Sequence, residues 1–411
     1  MSVQSPTSLG RAGVLVGGAS ALANVFGFVF LAMLSRAFVP SAYGEIAALL
    51  GIGAIGAVPA GAVQLLIARQ LASRGPDPRV LSGRAVLGLG MVLVAALMAL
   101  SPVLKSTLHI HATTSILWLA LMLVPLTVAG GLQGHLLGTE RFHAYAGALL
   151  LINGARLVAG GFALAASTGV ALTMAVLAAA TAVATVLVGL VTDVPWWWRT
   201  ARTEGWAPHL RDFAVIASGI GAFLVLSGLD LLLARHYLDP NTSGVYAIGS
   251  LFTKAGLWGP QFVAVLVFPR LSAGAGSGLV LRAAAAMVAI GVLGTTLALA
   301  LGSRIITAVS GPAYADAGHH AWIFAVLGIL LALVNLLLLG SLAEGKGWVS
   351  WAIWIAVATE IALVAAIGGN SLRGVLLCAT GVTAALVVVG VGRLLRRHRA
   401  SATHIGQLSA A

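Results

Sequence analysis

Residues 170–192 read VALTMAVLAAATAVATVLVGLVT, an apolar run without one charged side chain. A helix of about 20 such residues covers the roughly 30 Å of bilayer hydrocarbon. A strand crossing a membrane would alternate apolar and polar residues, and this stretch does not alternate. Working outward, the same texture recurs along the chain: 60% of the 411 residues are hydrophobic, 8% are charged, and the mean hydropathy is +1.03. No water-facing surface carries that balance, so the composition excludes a soluble enzyme or a nucleic-acid-binding domain and predicts an all-α, polytopic membrane protein.

Charged, Gly/Pro-rich and His-rich clusters divide the chain into about twelve predicted transmembrane helices. Six lie near 12–35, 43–71, 82–103, 115–137, 144–167 and 170–192. Six more lie near 213–236, 244–269, 278–301, 320–342, 347–368 and 372–394. The first is longer than a signal-peptide core and is read as retained. The longest polar connection separates the two sets, giving lobes at 1–192 and 213–394, a linker at 193–212 and a basic tail at 395–411. Trp196, Trp197 and Trp198 in the linker suit the headgroup region.

A net charge of +12 raises the question of a polyanion partner, and the positions of the cations answer it. With a cytoplasmic N-terminus, sixteen Lys and Arg residues fall in inner loops and the tail, against five outside: Arg36, Lys105, Arg235, Arg304 and Arg373. That asymmetry follows the positive-inside rule, needs no nucleic acid, and places both termini in the cytoplasm. The single cysteine, Cys378, lies inside the last apolar run and is read as an inert thiol.

The halves also resemble each other at a spacing of about 200 residues: Arg36 with Arg235, Gly44 with Gly244, Pro59 with Pro260, Arg69 with Arg270. Such a repeat predicts two pseudo-symmetric six-helix lobes around a central cleft, as carriers have. Pro59 and Pro260 predict matching kinks, candidate hinges for rocking between inward-open and outward-open forms. Gly51, Gly53 and Gly56 fit a dinucleotide-binding pattern but sit in an apolar helix with no preceding strand, so they are read as close-packing residues. His109, His111, His319 and His320 fall in predicted outer loops beside Asp316, and no metal site or cofactor is assigned to them.

The two cations not in loops are Arg156 and Lys254, and they join Asp230 and Glu360 inside predicted helices. Each costs roughly 2.5–3.5 kcal/mol at a helix centre, so each should face a cavity or a partner. Pairing of Asp230 with Lys254 and of Arg156 with Glu360 is one expectation. A hydrated cavity whose cations hold an anionic substrate is the other.

The run Ala23-Asn24-Val25-Phe26-Gly27-Phe28, then Leu34-Ser35-Arg36 and Tyr43-Gly44, resembles the polysaccharide or oligosaccharide flippases of the multidrug/oligosaccharidyl-lipid/polysaccharide exporter superfamily. So do Leu229-Asp230, Leu232-Leu233-Ala234-Arg235, Gly244-Val245-Tyr246-Ala247, Val267-Phe268-Pro269-Arg270-Leu271 and Gly311-Pro312-Ala313-Tyr314. The resemblance implies an inner-membrane carrier that moves a lipid-linked glycan to the outer face. On that reading Arg156 and Lys254 attract the phosphate, Asn24, Asn153 and Gln261 contact sugar hydroxyls, and the lipid tail stays in the bilayer. Expected partners are the lipid-linked glycan, membrane lipids and glycan-assembly enzymes, with the carrier acting as a monomer.

Two other functions are weighed against it. A cation-coupled multidrug exporter of the same superfamily would use Asp230 or Glu360 as its ion-binding carboxylate. A polytopic membrane glycosyltransferase would ordinarily place catalytic acids or a folded loop outside the membrane, where only Asp239 and Asp316 stand clear.

Overall fold

The computed structural model describes residues 6–72, 80–192, 203–204, 206–260, 277–343 and 348–408. In order, the helices are α1 (Pro6–Ala37), α2 (Pro40–Gly56), α3 (Val58–Ala72), α4 (Gly83–Thr107), α5 (Thr113–Gly138), α6 (Phe142–Ala166) and α7 (Val170–Val191). They continue as α8 (Leu210–Tyr237), α9 (Pro240–Trp258), α10 (Ser277–Ser310), α11 (Ala321–Ala343), α12 (Trp348–Leu363) and α13 (Leu372–Leu408). Eleven described helical stretches are long and apolar enough to cross a membrane, with α2 and α3 forming one of them. The predicted eighth helix begins as α9, and its continuation lies outside the described residues, as do Trp196–Trp198. The chain is an all-helical multi-pass membrane protein.

The helices overrun several predicted ends. The ninth was expected to stop near 301 but continues to Ser310, because nothing between Gly302 and Ser310 breaks an apolar helix. Arg304 therefore stands within α10, and Arg36, Lys105 and Arg235 occupy last turns rather than loops. Gly311, at φ 98°, then turns the chain into a 3₁₀ helix, Pro312–His320, a conformation in which a Cβ is strained.

The chain separates into two compact units, Met1–Leu224 and Val225–Ala411. In unit 1, α3 and α5 run parallel and nearly touch. A Cβ on Gly130 would run into the carbonyl oxygen of Ala60, and one on Gly138 would come to 2.9 Å from that of Ala68. Unit 2 repeats the device: a Cβ on Gly328 would strike the carbonyl of Thr253, and one on Gly256 would come to 2.9 Å from that of Ala325, joining α9 to α11. Small residues let backbones approach where lipid supplies no hydrophobic drive. Gly53 and Gly56 do the same for α2, lying against Leu119 and Leu123 of α5.

Both units also turn the same corner, with proline opening the second helix at Pro40 and at Pro240. The second span of unit 1 breaks at Ala57, two residues before Pro59, where the missing proline amide interrupts the ladder. In unit 2, α9 ends at Trp258, two residues before Pro260.

One short parallel pairing, Val80 with Thr203 and Leu81 with Glu204, holds the end of the linker to the loop before α4. Gln70 reinforces it: its Oε1 accepts from the Leu81 amide (3.1 Å), and its Nε2 lies 3.1 Å from Nδ1 of His209. The Trp206 indole N–H donates to the Ala85 carbonyl at 2.9 Å.

Candidate functional site

Unit 1 brings the polar residues of α1 and α6 together. The two helices run parallel, locked where Gly160 meets Phe30 and Met33. One turn earlier the Arg156 guanidinium lies against α1, with Nη1 3.4 Å from where a Cβ on Gly27 would stand. Gly27 thus makes room for the cation. Asn24 is one turn back on the same face of α1 and is half-buried. Around Gly17, Gly18, Gly147 and Gly154 a methyl group would meet nothing within 4 Å. Arg156 retains exposed surface although protein atoms crowd around it.

Asn153 stands three residues before Arg156, and its Nδ2 donates to the Leu149 carbonyl of its own helix at 2.8 Å. That bond uses one of the two amide N–H groups and leaves the oxygen without a bond to its own helix. Gln261 lies outside the described residues.

Unit 2 is built differently. Asp230 on α8 is buried, 3% exposed, and its Oδ2 accepts a hydrogen bond from the Tyr246 hydroxyl of α9 at 2.8 Å. The two residues sit equally far from the α8–α9 corner, which is why they meet. Tyr246, fully buried, is held edge-on by Phe324 of α11, with ring centroids 5.0 Å apart. Phe324 in turn fills the space that a Cβ on Gly249 would take. A hydrogen bond to a charged group contributes about 1.5–3 kcal/mol, and here it offsets part of the cost of burying a carboxylate.

Glu360 of α12 is also buried, 1% exposed, and its Oε1 has no hydrogen-bond partner among the described residues. Glu360 lies within electrostatic reach of Asp230, and so does Lys254 of α9. One turn beyond Glu360, Val364–Gly368 forms a π-helical turn, a distortion that re-aims side chains and recurs at functional sites. Among the described residues no three His, Cys, Asp or Glu are gathered as a metal site would require.

Three polar contacts escaped the sequence reading. Arg235, expected in an outer loop, is buried at 2% exposure, and its Nη1 donates to Ser243 Oγ at 2.9 Å across the corner. Its repeat partner Arg36 is exposed. Glu45, buried in α2, accepts from the main-chain N–H of His111 at 3.2 Å and pairs with its ring Nδ1 at 2.6 Å. The signal for it was an acid at the start of an apolar run. The Tyr246–Asp230 bond was marked by their symmetry about residue 238.

A multidrug resistance MATE family transporter of the MOP superfamily, in an inward-facing conformation, matches with TM-score 0.70 and 12% identity, over 94% of this chain and 98% of its own. The lipid II flippase MurJ, in an inward closed conformation, matches with TM-score 0.72 and 13% identity, over 94% and 87%. A MOP superfamily transporter from Pyrococcus furiosus, described as having a binding pocket of reverse polarity, matches with TM-score 0.54 and 14% identity, over 94% of each chain. The chain shares their fold. At these identities the likeness is one of fold alone. No protein-family profile and no curated protein matches the sequence.

Proposed function

We propose that this chain is an alternating-access membrane carrier that moves a lipid-linked oligosaccharide or polysaccharide precursor from the cytoplasmic to the outer face of the plasma membrane. The observation that carries this reading is an accessible cation, Arg156, inside a membrane-spanning helix, seated beside Gly27 and Asn24. A guanidinium there suits a phosphate-linked anionic cargo, since its planar donors pair with two oxygens at once. Asn24, Asn153 and Gln261 supply amide groups for hydroxyls, and Lys254 adds positive charge in unit 2. Pro59 and Pro260 serve as hinges. A lipid II flippase has the matching fold, so the fold accommodates a cargo of this class.

In this proposal Asp230 and Glu360 couple transport to a cation. Two acids buried together change charge only when a proton or metal ion arrives, and the cost of a second negative charge makes that arrival a switch. The same pair favours a second reading, a cation-coupled exporter of hydrophobic drugs. Proteoliposomes separate the two. A fluorescent polyprenyl-diphosphate-linked disaccharide should cross from one leaflet to the other only with the protein present, and Arg156→Ala should slow it at least tenfold. Ethidium export with no movement of the lipid-linked sugar would reverse the assignment.

A further inference from the structure

The last helix carries positive charge that nothing on it balances. No Asp or Glu follows Glu360 in the sequence, whereas Arg393, Arg396, Arg397 and Arg399 fall within seven residues. At 37 residues α13 is about 55 Å long, well beyond the roughly 30 Å of hydrocarbon. Its apolar stretch closes at Arg396, which places Arg393 and Arg396 at the membrane–water boundary, both exposed.

α12 begins at this same boundary. The Arg393 guanidinium lies over the ring of Trp348, 4.6 Å from its centroid. Trp351 follows one turn on and is 73% exposed, with Trp354 one turn deeper. Indole rings that line a helix at this depth settle among headgroups and upper acyl chains. Stacking engages the flat face of Arg393, and its five N–H donors lie along the edge, the geometry that grips a phosphate.

We propose that Arg393, braced by Trp348, and Arg396 form a site for the phosphodiester of an anionic phospholipid, with Trp351 against its acyl chains. Three features of this boundary favour a lipid. The cations lack acids on their own helix, they stand at headgroup depth, and the exposed indole beside them offers an apolar surface that a free phosphate cannot use. Such a site attracts an anionic headgroup from a negatively charged leaflet and fixes the α12–α13 end at that surface.

Thermal unfolding of the purified full chain in zwitterionic detergent tests this, with dihexanoyl phosphatidylglycerol, dihexanoyl phosphatidylcholine and inorganic phosphate as probes. Phosphatidylglycerol should raise the Tm by several degrees, and the other two should do so by less than half as much. Arg393→Gln/Arg396→Gln should raise the half-saturating phosphatidylglycerol concentration at least fivefold. Arg393→Lys, which keeps the charge but loses the planar stack, should fall between, and Arg282→Gln should leave it unchanged. An unaltered half-saturation in the double variant, or an equal Tm rise with inorganic phosphate, overturns the proposal. If the double variant does not fold, native mass spectrometry of the wild type decides. Preferential retention of phosphatidylglycerol, weakened in Arg393→Lys, supports the site, and equal retention of both lipids sinks it.

Discussion

The two units share a frame and differ in what they enclose. Each has a proline-opened corner and a glycine seam between parallel helices, Gly130 against Ala60 in one and Gly328 against Thr253 in the other. Within that frame unit 1 presents a cation, Arg156, on an accessible surface, whereas unit 2 buries two acids, Asp230 and Glu360. A seam made by backbones tolerates almost any interior. Charge inside a membrane is costly, and in the function proposed above it divides the labour: Arg156 with Lys254 for cargo, Asp230 with Glu360 for coupling.

The sharpest way to break that division is to invert the charge of unit 1. Arg156→Glu should bring lipid-linked sugar transport in proteoliposomes to background, a loss of a hundredfold or more, while Arg156→Lys retains part of it. A variant that inserts normally and transports at full rate would remove Arg156 from the cargo path. The frame itself is tested next. Gly130→Val and Gly328→Val each drive a side chain into a facing carbonyl and should cost about 1–3 kcal/mol, read as Tm in detergent. Similar losses in both would mark the seam as common property, and a large loss in only one would show that the units are held together differently.

Tyr246→Phe sharpens the comparison at the next level down. It strips Asp230 of its hydroxyl donor and leaves a buried carboxylate under-satisfied, which should cost about 1–2 kcal/mol. Unit 1 has a tyrosine for comparison: Tyr145 accepts from Gln64 Nε2 at 3.1 Å in partly buried surroundings with no carboxylate. Tyr145→Phe should cost less, by Tm, because no charge is exposed to apolar surroundings. Equal effects would mean that Tyr246 does not serve the acid.

How much of this was legible in the sequence follows from the range of each interaction. Apolar runs of helix length gave the spans, and Pro59 gave the break near Ala57, because both depend only on neighbours along the chain. Arg156, Asp230, Lys254 and Glu360 stood out because a charge in an apolar run is costly wherever it lies. Their partners were harder to find. Tyr246 reads as one more core aromatic until α8 and α9 fold back on each other, and Phe324 comes from a helix some eighty residues further on. Arg235 looked like a loop cation because its burial depends on Ser243 across a corner, and the parallel pairing of 80–81 with 203–204 joins segments more than a hundred residues apart with no periodic signal in either. Glu45 was overlooked, being close to a helix end where acids are common.

The smallest effect lies at the corners, and there the units differ again. Val39 offers no side-chain cap to α2, whereas Asp239 Oδ1 accepts from the main-chain amides of Asn241 and Thr242 at 3.0 and 3.1 Å. Hydrogen bonds from Thr242, side chain and main chain, hold the Asp239 carboxyl below the usual carboxylate range. A depressed folded-state pKa means that the cap contributes fully above the unfolded value of about 3.9 and is lost as pH falls through the lower folded value. Asp239→Ala should therefore cost about 0.5–1 kcal/mol at neutral pH and progressively less below pH 4. Val39→Asp should gain a similar amount in unit 1 with the same pH dependence. Hydrogen exchange at the amides of Asn241 and Thr242 reads the first, and at Ser41 and Ala42 the second. If Asp239→Ala leaves exchange at Asn241 and Thr242 unchanged at pH 7, the corner of unit 2 is held by Pro240 and the Arg235–Ser243 contact instead.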